Sequence, residues 1–118
     1  MELQIIGRKN CKETRRAERF FKERDIDFQF RDLREKEISP GELKKICAKI
    51  HAEDLIDKES KAFKSGGYEY LVYDAFEELL EHQALLKTPI LRYMQNVSAG
   101  RDEEAWKEIA RNLQQSKG

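Results

Sequence analysis

The sequence predicts an α/β fold in which a mixed sheet of about four strands is interrupted by a helical insertion. Three observations lead to this prediction. The N-terminal part alternates strand, helix and strand patterns, the middle carries several helix-capping motifs, and the last part has two extended segments followed by a helix. At 118 residues the chain fits one domain, 1–118. Within it we expect a sheet core from 1–33 and 86–115 and a helical insertion over 39–85.

The N-terminal segment has the pattern of a β-α-β unit. A short apolar run ends at Gly7 and predicts the first strand. From Cys11 to Arg24 the apolar side chains recur every three or four residues, which predicts an amphipathic helix. From Ile26 to Arg31 apolar and polar residues alternate, as in a half-buried strand. Because crossovers of this kind join parallel strands, we expect these two strands to be parallel.

Helix-capping motifs divide the middle of the chain. Ser39 and Glu42 form a capping box that predicts a helix with a proline at its first position. The charged stretch 57–64 predicts a short helix that ends in a glycine turn. Asp74 begins a third helix through an acidic variant of the same cap. These three helices make up the predicted insertion.

The C-terminal part predicts a hairpin and a final helix. The segment around Pro89 is expected to be extended, because a residue before proline is driven toward the β region. A partner strand is expected near Val97, and Asp102 caps a last helix whose apolar face extends to Leu113. The complete order of elements is thioredoxin-like, with the helical insertion in its middle.

Charge and composition exclude several classes of function. Lys and Arg (23) balance Asp and Glu (23), which removes the overall attraction that binders of nucleic acids or acidic membranes usually show. No apolar run approaches the roughly 20 residues that a bilayer requires. Two cysteines are too few for a disulfide framework or a convincing metal site. We therefore expect a soluble cytoplasmic protein with no bound cofactor and no direct nucleic-acid or membrane partner.

Cys11 is the strongest candidate for a reactive residue. It precedes a predicted helix, where unpaired backbone N–H groups and the helix dipole favour a thiolate. Positive neighbours are expected to lower the pKa of this thiol further. The alternative is an inert small residue that begins a helix beside cations that are merely solvated. The residues expected to stabilise the thiolate are Arg8, Lys9, Asn10, Lys12 and Arg15.

Cys47 and Thr14 limit the chemistry that is open to Cys11. Cys47 lies in a helical apolar stripe, so core packing is expected, with a resolving role for Cys11 as the alternative. Thr14 occupies the position of the second cysteine of a C-x-x-C motif. A local disulfide is therefore excluded, whereas a mixed disulfide with another thiol is not.

Several motifs along the chain are similar to those of the ArsC and Spx family. They are the segments 7–11, 14–17, 86–91 and 99–104, and the similarity covers nearly the whole chain. The resemblance implies a thioredoxin-like fold with a helical insertion and a cis peptide before Pro89. In the family's arsenate reductases a single cysteine, at the position of Cys11, attacks arsenate, and glutathione with glutaredoxin completes the reduction.

The sequence departs from the three arginines that such reductases place around the cysteine. The resemblance puts Lys58 and Thr88 at two of those positions and leaves only Arg101 at the third. Lysine does not reproduce the bidentate geometry of arginine, so efficient arsenate reduction is not expected. We assign anion or glutathione binding to Arg101, Lys58, Thr88 and Pro89.

Three hypotheses follow for the function. The first is a thiol oxidoreductase in which Cys11 forms a mixed disulfide with glutathione or a partner thiol, with glutaredoxin as a further partner. The alternative is a regulator of the Spx type that binds RNA polymerase, although Thr14 removes the dithiol switch that many such proteins carry. Arsenate reduction is the third and least expected.

Overall fold

Residues 3–117 are described by the computed structural model of this protein, and they divide into two units. One unit comprises the described residues up to Lys36 together with those from Thr88 onward, and the other comprises Glu37–Lys87. The expected domain limits also included residues 1, 2 and 118, which lie outside the described residues.

The first unit contains a four-stranded mixed sheet, as the sequence predicts. Its spatial order is β2-β1-β3-β4. The first two strands are parallel, which confirms the β-α-β expectation, and the other two neighbouring pairs are antiparallel. The strands are β1 (Leu3–Gly7), β2 (Phe28–Asp32), β3 (Ile90–Tyr93) and β4 (Asn96–Ala99).

The second strand begins two residues later than the alternating pattern indicates. β2 pairs with β1 from Phe28 opposite Leu3 to Asp32 opposite Gly7. Ile26 is buried ahead of the strand, and its N–H donates to the Phe21 carbonyl at 3.0 Å. Because that amide closes the turn after the preceding helix, it is not available to the sheet.

Two helices of this unit bury an apolar core together with the sheet. They are α1 (Lys12–Lys22) and α5 (Glu103–Lys117). The helix α5 continues past Leu113, where its apolar face was expected to end. Burial of these side chains supplies the main stabilisation of the unit. The core consists of Leu3, Ile5, Ala17, Phe21, Ile26, Leu91, Tyr93, Trp106, Ile109 and Ala110.

The second unit consists of short helices joined by 3-10 turns. Its α-helices are α2 (Pro40–Cys47), α3 (Lys61–Ser65) and α4 (Ala75–Glu81), and its 3-10 segments are Ala52–Leu55, Tyr68–Tyr70 and Gln83–Leu85.

Local hydrogen bonds fix both ends of this unit. The Glu42 N–H donates to Ser39 Oγ at 3.2 Å, and the Ser39 N–H donates to Glu42 Oε1 at 3.0 Å, so the predicted capping box is formed. The Gln83 amide exchanges two hydrogen bonds of 2.8 and 2.9 Å with the Ile38 backbone. Within residues 3–117, no helix has the length and apolar character needed to cross a membrane.

Candidate functional site

Cys11 lies at the junction between the β1 strand and the α1 helix. Its N–H donates to the Arg8 carbonyl at 3.0 Å, and its own carbonyl accepts the first helical hydrogen bond, from the Arg15 N–H, at 3.1 Å. It is therefore the N-cap residue of α1, with an extended backbone. The half-buried side chain stands over the first helical turn, where backbone N–H groups have no partner within the helix.

The Thr88 hydroxyl makes a direct hydrogen bond to the Cys11 sulfur. It donates to Sγ at 3.0 Å, whereas the Thr88 carbonyl, which can only accept from a protonated thiol, is 3.7 Å away. The guanidinium of Arg8 donates through Nη1 to the Thr88 hydroxyl oxygen at 3.4 Å. Since that oxygen accepts from Arg8, its own proton is directed at the sulfur. This contact geometry favours the thiolate over the thiol.

The hydrogen bonds around the sulfur lower the pKa of Cys11. Burial is the largest single influence and raises the pKa of this thiol, whereas hydrogen bonds from the Thr14 and Thr88 hydroxyls lower it. The backbone N–H groups of Thr14 and Glu13 add to the same effect. The net result is a pKa below the ordinary thiol value. Each of these lowering contributions is a hydrogen bond from a neutral donor, not the charge of a cationic side chain.

Thr14 completes the site, and the sequence analysis did not assign it this role. Its side chain is fully buried, and its hydroxyl accepts a long hydrogen bond of 3.5 Å from the Arg8 N–H. A Cβ on Gly7 would stand 2.6 Å from the Thr14 methyl carbon, so the glycine makes room for this side chain. The sequence signal for this role was the position of Thr14 three residues after Cys11, which places it in the first turn of the helix. That spacing served above only to exclude a local disulfide.

Pro89 follows Thr88 in a cis peptide bond, as the family resemblance implies. Its ring is buried, and its carbonyl accepts a hydrogen bond of 2.9 Å from the Gly100 N–H. Cys11, Thr88 and the cis proline therefore lie together at one end of the sheet.

Comparison with known proteins identifies the family. The model described as the ArsC family matches residues 6–109. This protein belongs to the ArsC family. None of the curated proteins matches the chain significantly.

Solved structures share the fold of this ArsC-family chain. The YffB protein is 19% identical, with a TM-score of 0.81 over 90% of this chain and 96% of that chain. The arsenate reductase from Vibrio cholerae is 23% identical, with a TM-score of 0.77 over 92% and 98%. An arsenate reductase related protein from Brucella melitensis is 20% identical, with a TM-score of 0.71 over 92% and 93%. At these identities the likeness is one of fold.

The other residues expected around the Cys11 thiolate are solvent-exposed. These residues are Lys9, Asn10, Lys12 and Arg15. None of the hydrogen bonds described above joins one of their side chains to the sulfur. Arg8 is linked to the sulfur through the Thr88 hydroxyl.

The two cations assigned to anion binding are each paired with carboxylates. Arg101 contacts Glu103 at 2.7 Å and Glu13 at 3.9 Å. Lys58 belongs to the second unit and contacts Glu53 at 3.1 Å. Both positive side chains are exposed, and both have their charge offset by a neighbour.

Cys47 has a different environment from Cys11. It is the last residue of α2 and is half-buried rather than fully buried in the core. Burial raises the pKa of its thiol. Both cysteines are free, and the part of the chain that the structure describes holds no group of three metal-ligating side chains suited to a metal ion.

Proposed function

We propose that this ArsC-family protein is a monothiol oxidoreductase with Cys11 as its nucleophile. The observation that carries this proposal is the 3.0 Å hydrogen bond from the Thr88 hydroxyl to the sulfur. A thiolate is the reactive form in disulfide exchange, and this donor stabilises it. Thr14 stands where a second cysteine would resolve the intermediate, and we assign the resolving role to a thiol from solution rather than to Cys47.

The proposed reaction balances with glutathione as the reductant. The Cys11 thiolate attacks the glutathione sulfur of a mixed disulfide, forms a Cys11–glutathione disulfide and releases the substrate sulfur as a thiolate. A second glutathione, as its thiolate, then attacks the glutathione sulfur of that disulfide. Oxidised glutathione leaves, and the Cys11 thiolate is restored. Glutaredoxin is the alternative donor for the second step.

Pairing of the positive side chains argues against arsenate as the substrate. An oxyanion site requires donors that are free to turn toward the anion. Arg101 is held by Glu103 at 2.7 Å, and Lys58 is held by Glu53 at 3.1 Å. Attack on a disulfide sulfur creates no oxyanion, so it needs no bidentate cation at the reacting atom.

A reducing compartment agrees with this chemistry. Both cysteines are free, and glutathione-dependent exchange needs a high concentration of reduced glutathione. We therefore place the protein in the cytoplasm.

One observation favours the alternative role of a regulator that binds RNA polymerase. In the second unit the consecutive residues Tyr70, Leu71 and Val72 are 89%, 56% and 106% exposed. Exposed apolar segments of this kind are common at protein interfaces. This role predicts capture of RNA polymerase by the Cys11→Ser variant as efficiently as by the wild type.

Turnover of a glutathione mixed disulfide tests the proposed function. Formation of oxidised glutathione is followed with the mixed disulfide of cysteine and glutathione as substrate. We expect turnover by the wild type and by Cys47→Ser, and a loss of at least a hundredfold in Cys11→Ser. Equal rates for Cys11→Ser and the wild type, or a comparable loss in Cys47→Ser, would refute the assignment.

A further inference from the structure

One face of α1 carries a row of positive side chains that begins next to Cys11. We call this row the basic stripe. Successive members are three or four residues apart, so they share one side of the helix. The helix has five cations and two carboxylates, whereas the whole chain has a net charge of zero. The basic stripe consists of Lys12, Arg15, Arg19 and Lys22, all of them exposed.

The cations of the basic stripe differ from the neighbouring positive side chains in having no salt-bridge partner among the described residues. Arg16, beside the stripe, contacts Glu13 at 3.3 Å, and Arg24 lies 3.6 Å from the ring centre of Phe20. Among the described residues, by contrast, no carboxylate forms a salt bridge with a member of the basic stripe. Three of its members, together with Glu18, line a shallow depression of about 380 Å³. The stripe therefore presents positive side chains without a salt-bridge partner among the described residues to a binding partner.

We propose that the basic stripe docks an acidic polypeptide that carries the disulfide on which Cys11 acts. This inference rests on the proposed function and names its substrate class. From Lys12 to Lys22 the stripe is about 15 Å long, at 1.5 Å per helical residue. An extended tripeptide such as glutathione spans only about 10 Å. A segment of about five residues or more is needed to reach from the sulfur to the far end of the stripe.

Two carboxylates beside the stripe favour a polypeptide over a nucleic acid. Glu18 lies in the depression, and Glu23 follows directly after Lys22. A phosphate backbone carries only negative charges and is repelled at both positions. A polypeptide can place its own Lys or Arg opposite these carboxylates and acidic residues opposite the stripe. A polypeptide can also carry the cysteine disulfide that Cys11 attacks, whereas a nucleic acid has no such group.

The expected contribution of the stripe is to the rate of encounter. Exposed charges interact weakly at contact, but a row of like charges attracts an opposite charge over about one Debye length, which is roughly 10 Å at 0.1 M salt. An acidic substrate would be guided to the end of the helix where Cys11 stands. This effect should disappear at high ionic strength.

Two peptides of equal length test the proposal. Each carries one glutathionylated cysteine, followed by four Glu in one peptide and four Gln in the other. We expect kcat/KM of the wild type to be about tenfold higher for the acidic peptide at low salt, and about equal for the two at high salt.

A matched pair of charge reversals locates the effect. The double variant Arg19→Glu/Lys22→Glu reverses two cations in the last turn of α1, and Lys44→Glu/Lys45→Glu does the same in the last turn of α2. The first should bring the ratio of the two kcat/KM values close to one, and the second should leave it at about ten. An equal loss in both variants would overturn the assignment to the basic stripe.

A binding measurement with peptides that cannot form a disulfide tests docking separately from the oxidoreductase activity. Serine analogues of the two peptides are titrated with the full-length protein by fluorescence anisotropy. If the mixed disulfide of cysteine and glutathione is turned over but the acidic and neutral peptides behave alike, the docking proposal fails and the proposed function stands. Tighter binding of the acidic analogue, lost in Arg19→Glu/Lys22→Glu, supports docking even if no disulfide is turned over. A DNA oligonucleotide of equal charge that binds as tightly as the acidic analogue would overturn the choice of a polypeptide.

Discussion

The two cysteines occupy opposite ends of two helices. Cys11 precedes the first turn of α1, where backbone N–H groups face the sulfur, whereas Cys47 ends α2, where carbonyl oxygens are the unpaired groups. Burial raises the pKa of both thiols, but at Cys11 the hydrogen bonds from the Thr14 and Thr88 hydroxyls and from the Glu13 and Thr14 backbone together outweigh it. The pKa values of two half-buried thiols thus shift in opposite directions because of the donors around them, not because of their exposure.

The two thiols also differ in how closely neighbouring side chains pack around them. Around Cys11 a glycine, two buried threonines and an arginine fit closely together. Cys47 follows Ile46 at the end of a short helix, and only burial is seen to shift its pKa. Substitutions near Cys11 should therefore be costly, and equivalent substitutions near Cys47 should not.

The largest expected effect is on the free energy of unfolding. It compares Gly7, near Cys11, with Gly41 in α2, the helix that ends at Cys47. In Gly7→Ala the new methyl group would collide with the buried Thr14 side chain, which should lower the free energy of unfolding by about 2 kcal/mol. Gly41 lies in the first turn of α2, and a methyl group added there would meet no atom within 4 Å, so Gly41→Ala should not lower the free energy of unfolding and should raise it by up to about 1 kcal/mol. Urea unfolding of both variants measures the difference. Similar values for the two would mean that the region around Cys11 is not tightly packed.

The second prediction compares the reactivity of the two thiols directly. Because the pKa of Cys11 is lowered and that of Cys47 is raised, the Cys11 thiolate should form at lower pH. Iodoacetamide should react with Cys11 in Cys47→Ser at least tenfold faster at pH 7 than with Cys47 in Cys11→Ser. The pH dependence of alkylation gives both midpoints. A Cys11 midpoint at or above the ordinary thiol value would contradict the site described here.

A third, smaller effect should follow from removing the Thr88 hydroxyl. Thr88→Val keeps the shape of the side chain but deletes the donor 3.0 Å from the sulfur. The pKa of Cys11 should rise, and the thiolate fraction at pH 7 should fall about fivefold. Ultraviolet absorbance of the thiolate across pH gives the midpoint. Thr88→Ser, which keeps a hydroxyl, is the control and should titrate close to the wild type.

The smallest expected effect concerns Arg8, which is linked to the sulfur through the Thr88 hydroxyl. Loss of the guanidinium in Arg8→Gln should reduce the thiolate fraction at pH 7 by about twofold. In the Thr88→Val background the same substitution should have no further effect on the midpoint, because the intervening hydroxyl is gone. Additive shifts in the double variant would show that Arg8 acts on Cys11 directly through its charge.

Most of the fold could be predicted from local patterns. The alternation of strand and helix periods predicted the parallel β1–β2 pair, and the capping box at Ser39 placed the start of α2. An error occurred where the end of a helix competes with the alternating pattern of a strand. Ile26 fits the alternation of a strand, yet its amide closes the turn after α1.

The sequence alone determined that Cys11 stands at a helix N-terminus, because periodicity and the loop after Gly7 are local signals. Only the tertiary structure decided which groups stabilise the thiolate. Thr88 is 77 residues from Cys11, and it reaches the sulfur because β3 pairs antiparallel with β1. The number of positive residues close to Cys11 in the sequence favoured Lys9, Lys12 and Arg15 as the groups that stabilise the thiolate. These side chains are exposed to water, where their charge is screened. The buried hydroxyls have the larger influence because a short, directed hydrogen bond is not screened in this way.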